Sequence, residues 1–428
     1  MGHPTIKKRE QKASDILFIL WGGGSALLAY FLVYTLRKSY TAATFDGYTL
    51  WGMDFKVVIN ISQVLGYLLA KFHGVKIISE LKRNLRLPAI ILSATGAEIS
   101  LVLFGLIPFQ YKFFCLFLNG LCLGCMWGFL FSYLEGRRLT DILASFLGVS
   151  IVISSGAAKS FGLFVLDLGI DHFWMPALIG AVALPLLVGI SYLLDRLPDP
   201  DSDDKLQKIE RVPLNHQQRV KLFKKYAALL IPLLLVNMLY TVLRDIKEDF
   251  LVNILAHTTI NLTPFLFVKI DGIVTVLLLF MLGTMIIVKH NGKAMIVLLS
   301  IMLGGSFVVF LTSVFFDSLI SMPIVWIFLQ SFGIYSAYLS FQTIFFDRFI
   351  AFFKISGNVG FFIYLADFLG YLLSCIFILG KSFFSFEINW LEYYNILAAS
   401  IGIICLISII FTFIAMTQKS KKKQLQLL

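Results

Sequence analysis

The chain has 428 residues, of which 58% are hydrophobic and only 14% charged. Soluble domains are about half apolar and about a quarter charged, so this composition excludes a soluble enzyme, a disordered chain and a nucleic-acid-binding domain. The net charge of +11 must therefore be placed against a lipid bilayer before any polyanion is invoked.

A helix that crosses a bilayer needs about 20 apolar residues. Twelve such runs follow one another: 15–43, 54–77, 88–107, 113–134, 142–166, 174–194, 226–252, 264–288, 294–315, 322–346, 355–380 and 389–416. The first is too long for a cleaved signal peptide, and no small-x-small site follows it. Gly2 lacks the hydroxyl residue at the sixth position that myristoylation requires. Cys115, Cys122, Cys125, Cys375 and Cys405 all fall inside apolar runs, which suits packing rather than disulfides or zinc. No cofactor and no metal are expected.

The loops orient the spans. Of the 36 Lys and Arg residues, 26 fall in the two terminal segments and in the loops on their side, whereas the opposite loops hold only Lys112 and Lys381. This bias predicts cytoplasmic termini and makes most of the positive charge a topology signal. The longest polar stretch, 195–225, reads as a cytoplasmic linker with a short amphipathic helix near Asn215–Lys225. The predicted organisation is a six-helix bundle over 1–194, the linker, a second bundle over 226–416, and a basic tail over 417–428.

The two halves read as weak repeats. Tyr34-Thr35-Leu36-Arg37 matches the stretch from Tyr240 to Arg244, and Leu118–Arg137 matches Leu329–Arg348, which aligns Asn119 with Gln330 and Arg137 with Arg348. A duplicated six-helix bundle predicts a binding cavity at mid-membrane between the halves.

Charged residues at membrane depth are costly and mark a paired site or a watery path. Tyr30, Tyr34 and Arg37 are spaced to share one helix face, and two phenols beside a guanidinium suit an oxyanion. In the second span Tyr67 and Lys71 share a face. In the seventh, Tyr240 and Arg244 precede Asp245, Lys247, Glu248 and Asp249. Snorkelling to the interface competes with a binding role for Arg37 and Lys71, and helix-end salt bridges compete for the seventh-span cluster. Lys159 follows Ser154-Ser155-Gly156-Ala157-Ala158, small residues that permit close helix packing. Pairing with Glu98 or another buried acid is its alternative. Asp367 reads as a structural pair with Lys269 or Arg244, or as a coupling group. Glu135, Arg137, Asp347 and Arg348 fall at matching loops and read, with Asp245, as gating residues.

The segments Arg37-Lys38-Ser39-Tyr40-Thr41-Ala42-Ala43 and Tyr67-Leu68-Leu69-Ala70-Lys71-Phe72-His73-Gly74 resemble first- and second-span motifs of the organophosphate:phosphate antiporters of the major facilitator superfamily. That resemblance implies that Arg37 and Arg244 grip a phosphate, helped by Tyr30, Tyr34, Tyr67 and Lys71. The chain departs from it in having no fifth-span histidine, where Lys159 is the nearest counterpart, and in offering both Tyr364 and Tyr371 in the eleventh span. Nearly end to end, the chain also resembles an uncharacterised bacterial family of major-facilitator-like membrane proteins, through Asn119-Gly120, Tyr133-Leu134-Glu135-Gly136-Arg137-Arg138, Arg244-Asp245, Phe346-Asp347-Arg348 and Gly357-Asn358-Val359-Gly360-Phe361.

The expectation is thus an all-α, polytopic membrane protein with twelve helices in two pseudo-symmetric bundles. It would act as a monomer in a cell membrane, the bacterial inner membrane on the second resemblance. Its partners would be the bilayer and a small anionic solute held between Arg37 and Arg244, with no nucleic acid. The predicted activity is alternating-access exchange of an organophosphate for inorganic phosphate, not enzymatic catalysis. Proton-coupled symport of a small carboxylate and a non-transporting organophosphate sensor are the alternatives.

Overall fold

The computed structural model describes residues 15–425 apart from 80, 136, 138, 200–215, 289, 354–359 and 384–388. Long helices account for nearly all of it: α1 (Asp15–Ala42), α2 (Phe55–Ser79), α3 (Arg83–Leu106), α4 (Phe109–Phe131), α5 (Thr140–Asp167) and α6 (Met175–Asp195), then α7 (His216–Leu255), α8 (Leu266–Gly283), α9 (Asn291–Val314), α10 (Pro323–Phe345), α11 (Gly360–Phe383) and α12 (Trp390–Leu425). Among the described residues, eleven helices are long and apolar enough to cross a membrane. The twelfth long helix, α11, covers most of the run predicted at 355–380, whose first residues lie outside the described set. Their outward faces carry large apolar side chains such as Leu92 and Phe280, each 76% exposed. That surface suits hydrocarbon, because a helix apolar all round is stable only when lipid or protein surrounds it.

Local chemistry shapes the ends. Pro323 opens α10, where a missing N–H costs nothing. Between α1 and α2 the chain forms a hairpin, β1 (Thr49–Leu50) with β2 (Met53–Asp54), antiparallel and turned through Trp51 and Gly52, both at positive φ. Asp54 then caps α2: its Oδ1 accepts the Lys56 N–H at 2.8 Å. The amphipathic helix expected near Asn215–Lys225 is no separate element, because α7 runs unbroken from His216 for 40 residues. The basic tail is likewise helical as far as Leu425.

The chain forms two compact units. Unit 1 comprises Met1–Ala42, Ser62–Lys208 and Phe267–Thr275; unit 2 comprises Ala43–Ile61, Ile209–Leu266 and Val276–Leu428. They follow the sequence halves except for two exchanged segments. Unit 1 takes the first turns of α8, because Gly156 on α5 has no side chain where Phe267 O and Asp271 Oδ2 lie, and the Val268 N–H donates to Ser160 Oγ at 3.1 Å. Unit 2 takes the hairpin and the start of α2, where Lys56 Nζ donates to Asn253 Oδ1 on α7 at 2.6 Å.

Candidate functional site

In unit 1 a polar hub fixes the end of α1. After Lys38 the helix tightens into a 3-10 turn over Ser39–Ala42, which leaves carbonyls for side-chain donors. Gln63 Nε2 donates to Arg37 O at 2.6 Å and to Asn119 Oδ1 at 2.9 Å, and the Tyr40 hydroxyl donates to Gln63 Oε1. Asn119 Nδ2 donates to Leu36 O at 3.3 Å. These short amides meet because α2 and α4 touch backbone to backbone: a Cβ on Gly66 would overlap Phe117 O, and one on Gly120 would overlap Gln63 O. Gln63, Asn119 and Arg37 are all buried.

The Arg37 side chain is set on aromatic rings. Its guanidinium carbon lies 3.9 Å from the centroid of Tyr67 and 5.9 Å from that of Tyr34. Lys71 Nζ lies 5.0 Å from the same Tyr67 ring. Tyr30 leans on Tyr34, with centroids 6.2 Å apart, and meets Trp127 of α4 edge-on at 5.1 Å. The structure thus gathers Tyr30, Tyr34, Arg37, Tyr67 and Lys71 and adds Trp127, which sequence reasoning missed. A guanidinium on a phenol face keeps its charge while its edge N–H groups are oriented. Lys159 turns back onto its own helix, donating to Ser155 Oγ at 2.7 Å and Ser155 O at 3.1 Å. It lies one turn from Gly156 on α5, and Gly156 abuts Asp271.

Unit 2 spends its charges differently. Arg244 Nη2 and Nε donate to Asp245 Oδ1 at 2.7 and 3.1 Å, both residues being buried. The guanidinium lies 4.6 Å from the Tyr338 ring and 5.4 Å from that of Tyr371. Lys247 Nζ donates to Ser331 Oγ at 2.7 Å and lies over Tyr335, whose hydroxyl donates to Glu248. Tyr240 is not among the rings around Arg244: its hydroxyl donates to Ser306 Oγ on α9. Asp367 accepts a hydrogen bond from Gln342 Nε2, which also donates to Asn237 Oδ1 at 3.1 Å. Gln342 sits in a π-helical stretch, Ser340–Phe345, that ends α10. Such stretches recur at functional positions. The side chain of Tyr364 lies outside the described residues.

The matching loop arginines each reach backbone carbonyls. Arg137 donates to Tyr133 O and to Pro198 O, and Arg348 to Asn291 Oδ1 at 3.1 Å and Met285 O at 3.4 Å. Beside Arg137, the Tyr133 hydroxyl donates to Asp195 Oδ1 at 2.8 Å, and burial together with that carboxylate raises the phenol's pKa. Glu135 is half-buried next to this cluster. The side chain of Asp347 lies outside the described residues. Gln330, aligned with Asn119 by the repeat, is the hub of unit 2: its Nε2 donates to Thr312 Oγ1 and Ser313 Oγ, and the Tyr394 hydroxyl donates to its Oε1. Among the described residues no group of three His, Cys, Asp or Glu is placed to hold a metal ion.

This is the fold of the major-facilitator-like membrane transporters. A D-xylose-proton symporter matches at a TM-score of 0.60 and 14% identity, over 93% of this chain and 97% of its own. The human organic anion transporter MFSD10 (TETRAN) matches at 0.55 and 14%, over 93% and 98%. A peptide transporter, POT, in complex with sulfate matches at 0.60 and 13%, over 93% and 94%. The curated proteins give no sequence match. Residues 39–419 match the family model described as a family of unknown function, DUF5690, and the chain belongs to that family.

Proposed function

We propose that the protein is a secondary transporter of a small anionic solute and that Arg37 is its principal anion contact. One observation carries this: a buried guanidinium is seated on Tyr67, with Lys71 over the same ring and Tyr34 beside it. Unit 1 as a whole buries Arg37, Lys38, Lys112 and Lys159 against only Glu98 and Asp271 among the described residues. Two cations, Arg37 and Lys71, against one phenol ring favour a compact anion over a neutral sugar. A planar fork can grip two oxygens of a phosphate, and exchange of an organophosphate against inorganic phosphate completes the cycle. The neighbour described with sulfate, a tetrahedral dianion, supports the same chemistry.

The test is counterflow in proteoliposomes loaded with inorganic phosphate, using labelled phosphate, sugar phosphates, carboxylates and a neutral sugar outside. Exchange of phosphate compounds, lost in Arg37→Lys, is the expected result. Uptake of the neutral sugar alone would overturn the anion reading.

A further inference from the structure

Glu98 sits midway along α3 with 8% of its surface exposed. Its Oε2 has no hydrogen-bond partner, and among the described residues no cation lies within ion-pair distance. The carboxyl is pressed against Gly180 of α6, where a Cβ would overlap Oε2, and Leu36 Cδ2 of α1 lies 3.0 Å from that same point.

The charged and titratable groups on the surrounding helices are engaged elsewhere. On α1, the Arg37 guanidinium lies on Tyr67 and Tyr30 stands against Trp127; Tyr34 and the buried Lys38 are the others near Leu36. On α4, Lys112 donates to Phe104 O, and Cys122 faces Gly96. On α6, Asp195 lies at the far end with Tyr133. On α3 itself, Arg83 and Arg86 lie near its start, Arg83 with Asp199 and Arg86 over Tyr133. An ionised carboxyl in this setting would be an uncompensated charge at membrane depth, which is strongly unfavourable. The neutral acid avoids that cost.

We infer that Glu98 carries a proton through the transport cycle, so that anion uptake is driven by a proton gradient as well as by exchange. The proton joins a Glu98 carboxylate oxygen from water on one side and leaves to water on the other; no bond to the solute forms or breaks. The link to the anion contact is structural. Asn119 Nδ2 reaches Leu36 O at 3.3 Å and Ala97 O at 3.4 Å, the carbonyls immediately before Arg37 and Glu98. One side chain therefore ties the backbone of the arginine to that of the acid. If anion binding changes the proton affinity of Glu98, the proton must change anion affinity by the same factor.

This inference rests on the transporter reading, and two measurements separate their failures. In infrared spectra of the purified full chain, the carbonyl stretch of a protonated carboxylic acid should be present, absent in Glu98→Gln and displaced in Glu98→Asp. An identical band in Glu98→Gln overturns the inference. In proteoliposomes, an inward proton gradient should speed phosphate accumulation. Glu98→Gln should lose that acceleration while phosphate–phosphate exchange continues. Full gradient dependence in Glu98→Gln also overturns it. Absence of any exchange in the unaltered protein defeats the transporter reading instead, and the infrared band then decides Glu98 alone.

Discussion

The two units share a helical plan but differ in how they treat buried charge. Among the described residues, unit 2 buries Lys56, Arg244 and Lys247 with Asp245, Glu248 and Asp249, three cations with three acids, whereas unit 1 buries four cations with two. Arg244 has its counter-ion as its sequence neighbour, whereas Arg37 rests on tyrosine. Positions aligned by sequence spacing therefore need not do equivalent work. We assign the balanced cluster to holding α7 in place and the surplus to attracting a ligand.

The sharpest way to break this comparison is to neutralise each arginine. Arg244→Gln leaves Asp245 as a buried charge without its counter-ion and should destabilise by about 3–5 kcal/mol. Adding Asp245→Asn should restore most of the lost thermal stability in detergent. Equal destabilisation by Arg37→Gln would erase the distinction. Next in size, Arg37→Lys keeps the charge but loses the fork, at a cost to anion binding of roughly 2–3 kcal/mol, or about 30- to 150-fold. Titration of labelled phosphate onto purified protein measures this, and a melting temperature near that of the unaltered protein confirms that the fold is kept.

The hubs sharpen the likeness between the units. Asn119→Leu takes one acceptor from Gln63 and a donor from Leu36 O and Ala97 O, and Gln330→Leu takes the acceptor from Tyr394 and a donor from Thr312 and Ser313. Each should cost about 1–3 kcal/mol in unfolding measurements. Only Asn119→Leu should also weaken phosphate binding, since its partners flank Arg37.

The smallest effect is expected at Asp54. Burial raises its carboxyl pKa above 3.8, although the Lys56 N–H and the charge of Lys56 pull it down. The folded state then holds the proton more tightly than the unfolded one, so this group's contribution falls as pH rises from 3.8 through the raised value. Asp54→Asn should raise the melting temperature slightly at pH 7 and flatten its dependence on mildly acidic pH.

The spans were legible because each is a long apolar run, and their observed ends mostly lie within a few residues of those runs. Less legible was whatever depends on a partner distant in sequence. The face of Tyr30, Tyr34 and Arg37 follows from helical spacing, but nothing in the spacing announces Trp127 or the meeting of Gln63 with Asn119. Amides inside apolar runs were the available signal, since a polar group in lipid must find a partner. The Arg244–Asp245 contact was visible as adjacency, yet its claim on the guanidinium needed coordinates. The hairpin escaped because Trp51 adopts a positive φ that non-glycine residues rarely take.

The unbroken α7 has a mechanical consequence. At 1.5 Å per residue its 40 residues make a rod about 60 Å long, with the segment following the linker at one end and Arg244, Lys247 and Glu248 toward the other. A twist or pull applied at His216–Lys225 reaches those charges along the same helix, through Pro232, whose missing N–H makes it the natural point of bending. Whatever grips that handle holds a crank on the most heavily charged helix of its unit.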